Sequence, residues 1–206
     1  MRCQNMNFCS LGRLCHAVQL LIDSGVRDQA YPFDWIGLPL PLILHCIEND
    51  FVDFLDKNQY TLINSDRCGH VLYKSVGFFH HQPLIKENDY EYLCRCVERF
   101  RALMSSKDHK TFLILNVNQK PNEIKSIKKE VLNFNKQFCH YTNNYKLISI
   151  AHTAGHKSIS HEINNDNGID FINFYSTSES NGIKFSSSND NNYLSELIKS
   201  EYIKSN

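Results

Sequence analysis

The chain has 206 residues, enough for one domain with a substantial core. Lysine plus arginine and aspartate plus glutamate each number 22, so the formal net charge is zero; without a basic excess no nucleic-acid partner is expected. The 42% hydrophobic share is that of a globular protein, no apolar run is long enough to span a bilayer, and residues 1–7 lack the apolar stretch of a secretory signal, so a cytoplasmic location is expected. Under those conditions the eight cysteines are read as reduced thiols. Cys3, Cys9 and Cys15 recur at a spacing foreign to zinc sites, and Cys94-Arg95-Cys96 has no second pair, so neither metal nor cofactor is expected.

The first element is Phe8-Cys9-Ser10-Leu11-Gly12-Arg13-Leu14-Cys15-His16, which reads as a strand, a glycine turn and the start of a helix. A helix N-terminus offers unpaired N–H groups and partial positive charge, and both favour a thiolate. The helix is expected over residues 13–23, ended by Gly25, with Leu14, Ala17, Val18, Leu21 and Ile22 on one face. Cys15 lies at the edge of that stripe, so periodicity leaves it open whether it is a nucleophile or a small core residue.

In Tyr31-Pro32-Phe33-Asp34-Trp35 an acid sits between two aromatic residues. A carboxylate buried beside them needs a partner, either backbone N–H groups of the turn, a catalytic imidazole or the N-terminus of the first helix. Residues 38–55 follow an amphipathic helix loosely, with Pro41 near its start. In 65–75, Asp66-Arg67-Cys68-Gly69 reads as a turn and Val71-Leu72-Tyr73 as a strand. Phe78-Phe79-His80-His81-Gln82-Pro83 reads as a strand end or loop mouth; either His80 or His81 can act as base to a thiol, and adjacent side chains on extended chain face opposite ways.

Residues 87–106 form the clearest helix, through Leu93, Val97, Phe100 and Met104. Arg95 and Arg99 share a face, which is either solvated or an anion site. The apolar run 111–117, a helix over 121–138 and the apolar run 145–151 make a βαβ unit with buried parallel strands. Ligands of such sheets gather at the carboxyl ends of strands, which singles out Asn116, Asn118, His152 and Thr153. His152, His156 and His161 lack the H-E-x-x-H arrangement of a zinc site. A strand over 169–175, a polar loop over 176–192 and a helix over 193–203 complete the chain. The fold expected is one α/β domain over residues 1–206, three-layered around a central, mostly parallel sheet.

Three pieces in this order resemble a bacterial family of domains of unknown function described as putative papain-like cysteine peptidases (DUF1796): Ser10-Leu11-Gly12-x-x-Cys15, Tyr31-Pro32-Phe33-Asp34-Trp35, and the aromatic-histidine segment at Phe79-His80. The arginine-bearing helix and the strand 112–116 also follow that layout. The resemblance implies a nucleophile at Cys15, a general base at His80 or His81 and an orienting acid at Asp34. It also implies a papain-like α+β fold as the alternative architecture. The opening strand–Gly–x–x–Cys–helix is similar as well to SGNH-hydrolase-like and polysaccharide-locus acyltransferase-like α/β proteins. The expected activity is acyl chemistry through a Cys15 thioester, with the oxyanion held by N–H groups of Gly12, Arg13 and Leu14 or of the helix start. Water as acceptor makes a hydrolase or peptidase, and a hydroxyl or amine makes an acyltransferase of surface-polysaccharide synthesis. The rival is a non-catalytic protein that binds an anionic ligand through Arg95, Arg99 and the strand-end asparagines. The expected partner is a small-molecule, glycan or peptide substrate, and the oligomeric state stays open.

Overall fold

In the computed structural model, which describes residues 7–64, 67–74, 77–78 and 80–203, the unalternating apolar runs become strands buried on both faces. β1 (Asn7–Ser10), β5 (Lys110–Asn116), β6 (Tyr145–Thr153) and β8 (Ile169–Tyr175) run parallel, and β7 (Ser160–Asp166) closes the edge antiparallel to β8. The order is β1-β5-β6-β8-β7. Successive side chains point to opposite faces, so each run feeds two cores. Leu113, Leu115, Ile148, Ile150 and Phe174 meet α1 (His16–Asp23) and α6 (Ser188–Tyr202) on one face. Phe112, Ile114, Leu147 and Phe171 meet α4 (Glu87–Ser105) and α5 (Ile124–Phe138) on the other. This is the three-layer α/β architecture with a mostly parallel central sheet that the apolar runs imply.

The segment between α1 and α4 folds over the second core. It carries α2 (Leu40–Glu48), the short α3 (Val52–Leu55) and a three-stranded antiparallel sheet of β2 (Tyr60–Asn64), β3 (Arg67–His70) and β4 (Gly77–Phe78). Phe33, Phe51, Phe54 and Phe100 pack ring against ring where it meets α4.

Five local expectations change, one of them the start of α6, which lies at Ser188 inside the polar loop expected over 176–192. The helix expected over 38–55 breaks where Asp50 and Phe51 turn left-handed, with φ of 49° and 60°; this re-aims Phe51 into the ring cluster. The turn expected at Asp66-Arg67-Cys68-Gly69 is largely strand, because β3 pairs with both β2 and β4; Asp66 itself lies outside the described residues. The strand expected at Val71-Leu72-Tyr73 is a bend whose Val71 and Leu72 are exposed. Finally, β7 lies where no strand was expected, its polar residues exposed on both faces. The β7–β8 turn is Asn167-Gly168, both left-handed at φ 52° and 79°, the residue pair that a tight hairpin turn requires.

Candidate active site

Ser10 ends β1, and the chain must turn sharply into α1. Gly12 takes φ +58°, and a Cβ there would lie 3.2 Å from Ile43 Cδ1 and 3.4 Å from the Leu38 carbonyl. Arg13 is also left-handed, at φ 74°, a conformation that costs a non-glycine residue about 1–2 kcal/mol. Its side chain holds the turn in place: Nε donates to Asn116 Oδ1 at 2.8 Å and Nη1 to Glu130 Oε1 on α5 at 2.9 Å. The guanidinium is thus a tether between the turn, the end of β5 and α5, rather than an open anion-binding group. Its backbone N–H is taken as well, by the Leu38 carbonyl at 3.3 Å.

Cys15 caps α1 in helical conformation, and only 6% of it is exposed. Burial pushes its thiol above the ordinary range, and its own backbone N–H draws it partly back. Among the described residues no hydrogen bond joins its Sγ to an imidazole. The N–H groups of Gly12, Leu14 and His16 have no protein acceptor among the described residues, and Leu14 is exposed. The resting site is therefore a neutral thiol flanked by free N–H donors.

Asp34 does not meet an imidazole. Its Oδ1 accepts from Ser10 Oγ at 2.7 Å, and its Oδ2 accepts from the Tyr31 N–H at 2.9 Å and from Arg27 Nη2 and Nε at 2.9 and 3.2 Å. Burial pushes this carboxyl up, while Ser10, Tyr31 and Arg27 pull it down, and the net direction is upward. Asp34 thus ties the end of β1 to the Tyr31–Asp34 turn, the backbone-turn reading extended by Ser10 and Arg27. Ser10 stands in the motif beside Gly12, but nothing in the sequence pairs it with an acid 24 positions away.

The two histidines, at a bend after β4, take different neighbours. His80 is exposed, and its ring packs on Trp35 at 4.9 Å between centroids. The segment after Asp34 reaches the nucleophile turn: Leu38 accepts from Arg13, a Cβ on Gly37 would lie 3.4 Å from the Arg13 carbonyl, and Ile36 bridges to Phe78 of β4. His80 thus packs on Trp35, the residue that precedes the Ile36–Leu38 stretch touching the Arg13 turn. His81 turns to α4, stacked on Tyr92 at 4.3 Å with Nδ1 3.8 Å from Asp89 Oδ1. Burial lowers its proton affinity, with Asp89 opposing. Phe79 lies outside the described residues. Arg95 pairs with Glu91 at 3.6 Å on an exposed face, and Arg99 is half-buried near Tyr31.

The strand-end residues build a buried polar network that the sequence reading did not see. His16 Nδ1 lies 2.8 Å from Ser180 Oγ. Asn118, left-handed at φ 56°, brackets Ser180: its Nδ2 donates to the carbonyl at 2.7 Å and its Oδ1 accepts from the N–H at 2.8 Å. His152 accepts at Nδ1 from the Asn118 N–H at 2.9 Å, so its Nε2 carries the proton to Ser176 Oγ at 2.5 Å. Phe185 packs against both imidazoles. Asp190 is fully buried and accepts from the N–H and hydroxyl groups of Thr177 and Ser178. This network fastens the β8–α6 loop over the carboxyl ends of β5, β6 and β8. His156 and His161 bond instead to Thr153 and Tyr193, and among the described residues no three His, Cys, Asp or Glu side chains converge as metal ligands.

No curated protein and no solved structure matches the chain. A family model does match, over residues 6–155, a span that runs from before β1 past the end of β6 and contains the Cys15 turn, the Asp34 segment, and His80 and His81. With well over half of its length covered, the chain belongs to the family described as Putative papain-like cysteine peptidase (DUF1796).

Proposed function

We propose that the protein is a cysteine hydrolase acting on an acyl bond through a Cys15 thioester, with His80 as general base. The observation that carries this reading is the thiol at the N-cap of α1, beside N–H groups of Gly12, Leu14 and His16 that have no acceptor among the described residues. Because burial keeps the resting thiol protonated, the base must take its proton as substrate arrives. His80 gains hydrogen-bond reach to Sγ, accepts the proton, and sulfur attacks the carbonyl carbon. The carbonyl electron pair moves to oxygen, where the free N–H groups hold it. When the pair returns, the bond to the leaving amine or alcohol breaks and that group takes the proton from the imidazolium. Water, deprotonated by the same imidazole, then cleaves the thioester and restores the thiol. A hydroxyl or amine in place of water makes the same site an acyltransferase. His80 is preferred to His81 because it is exposed and packs on Trp35, next in sequence to the Ile36–Leu38 stretch that touches the Arg13 turn, whereas His81 is packed against Tyr92 and Asp89.

One observation favours the non-catalytic rival, namely the low exposure and raised thiol pKa of Cys15. Incubation with p-nitrophenyl acetate, followed by peptide mass analysis, separates the two. The expected result is an acetyl group on Cys15, absent in Cys15→Ala, formed at least about a hundredfold more slowly in His80→Ala and little changed in His81→Ala. Acetylation confined to the exposed Cys139 overturns the enzymatic reading. Release of free acetate, against its appearance on an added amine or sugar hydroxyl, decides hydrolysis against transfer.

A further inference from the structure

A cleft of about 340 Å³ opens between α5 and β7, within the range of small-ligand sites. Its floor includes Ala151, Phe171 and Ser149. Ser149 is 2% exposed, and among the described residues its hydroxyl has no hydrogen-bond partner, an omission that costs about 1–3 kcal/mol when nothing fills it. Ile124 and Ile127 of α5 form an apolar wall, and Asn164 and Asn173 bring side-chain amides from the strands opposite. Among the described residues the only charges on the lining are Lys128 and Asp166, which neutralise each other at 2.7 Å.

We propose that this cleft binds a neutral, hydroxyl-rich small molecule of monosaccharide size. A serine hydroxyl and two amides each offer both donor and acceptor capacity, which matches ligand hydroxyls that do the same. The aliphatic wall of Ile124 and Ile127 matches the C–H face of a sugar ring. A charged ligand finds no uncompensated counter-charge, and a flat base finds no open aromatic face, because Lys128 Nζ lies 5.1 Å over the Phe171 ring. The site is independent of Cys15 and of the activity proposed for it.

The test is an amide-resolved NMR titration of the full chain with methyl α-D-glucopyranoside and N-acetyl-D-glucosamine, with uridine and glucose 6-phosphate as comparators. Saturable shifts at Ser149, Ala151, Phe171 and Asn173 with at least one sugar support the proposal. Asn164→Ala, an exposed position, should weaken that binding about fivefold or more, and Ala151→Leu, which fills the floor, should abolish it. No saturable shift with either sugar up to about 50 mM, tighter binding of uridine or of the phosphate, or binding unchanged in the folded Asn164→Ala protein overturns it.

Discussion

Acidification should weaken this protein through two imidazoles that the fold keeps neutral. His16 and His152 are 3% and 0% exposed. Burial pushes both from the ordinary 6.5 down to about 4, aided at His16 by repulsion from His152 and opposed at His152 by Asp190. In the unfolded chain each imidazole binds a proton as pH falls through 6.5, while the folded chain resists until about 4. Between those values the unfolded state binds more protons, so stability is full above 6.5 and is lost as pH falls. The linkage integral at pH 4.5 is about 2–3 kcal/mol per imidazole, or about 4–6 kcal/mol for the pair. That is comparable to the whole stability of many domains. Asp34 works in the opposite direction, since its raised pKa favours proton uptake by the folded state. Urea unfolding followed by Trp35 fluorescence at about pH 7 and about pH 4.5 measures the difference. The double variant His16→Gln/His152→Gln should lose most of the pH slope. A wild-type loss below about 1 kcal/mol, or an equal loss in the double variant, would refute the neutral-imidazole account.

Three further outcomes follow from the geometry. Asp34→Ala strands Ser10 Oγ, the Tyr31 N–H and the Arg27 guanidinium in a buried site, and should cost about 3–5 kcal/mol in urea unfolding; a loss under about 1 kcal/mol would mean that the Ser10–Asp34–Arg27 tie is not holding the turn. Gly12→Ala adds left-handed strain to a 3.2 Å contact with Ile43 and should destabilise by about 1–2 kcal/mol or more; an unchanged midpoint would contradict it. Gly168→Ala has no steric neighbour within 4 Å, so only the φ of +79° penalises it, and about 1 kcal/mol is expected. A loss above about 3 kcal/mol there would require a contact that the turn does not make.

Much of the frame is legible in local pattern. Runs such as Phe112-Leu113-Ile114-Leu115 are apolar at every position because both faces of a central strand are buried, and that signal survives without knowledge of its neighbours. β7 escaped because an edge strand open to solvent needs no apolar pattern; the Asn167-Gly168 turn was the mark available. Arg67-Cys68-Gly69 reads as a turn by composition, yet two flanking strands override it.

The chain alone placed a cysteine on a glycine turn at a helix start, and it required that a carboxylate between aromatic rings find a partner. Spacing and burial cost act locally, so a short stretch of sequence carries both. Which partner Asp34 takes, which way His80 and His81 turn, and that His16 and His152 join one buried network depend on contacts between segments far apart in the chain. Ser10 and Asp34, or His16 and Ser180, come within 2.8 Å only because the sheet and its covering helices bring them together. Tertiary packing also sets the state of the thiol, since the same helix start that favours a thiolate holds Cys15 buried and protonated.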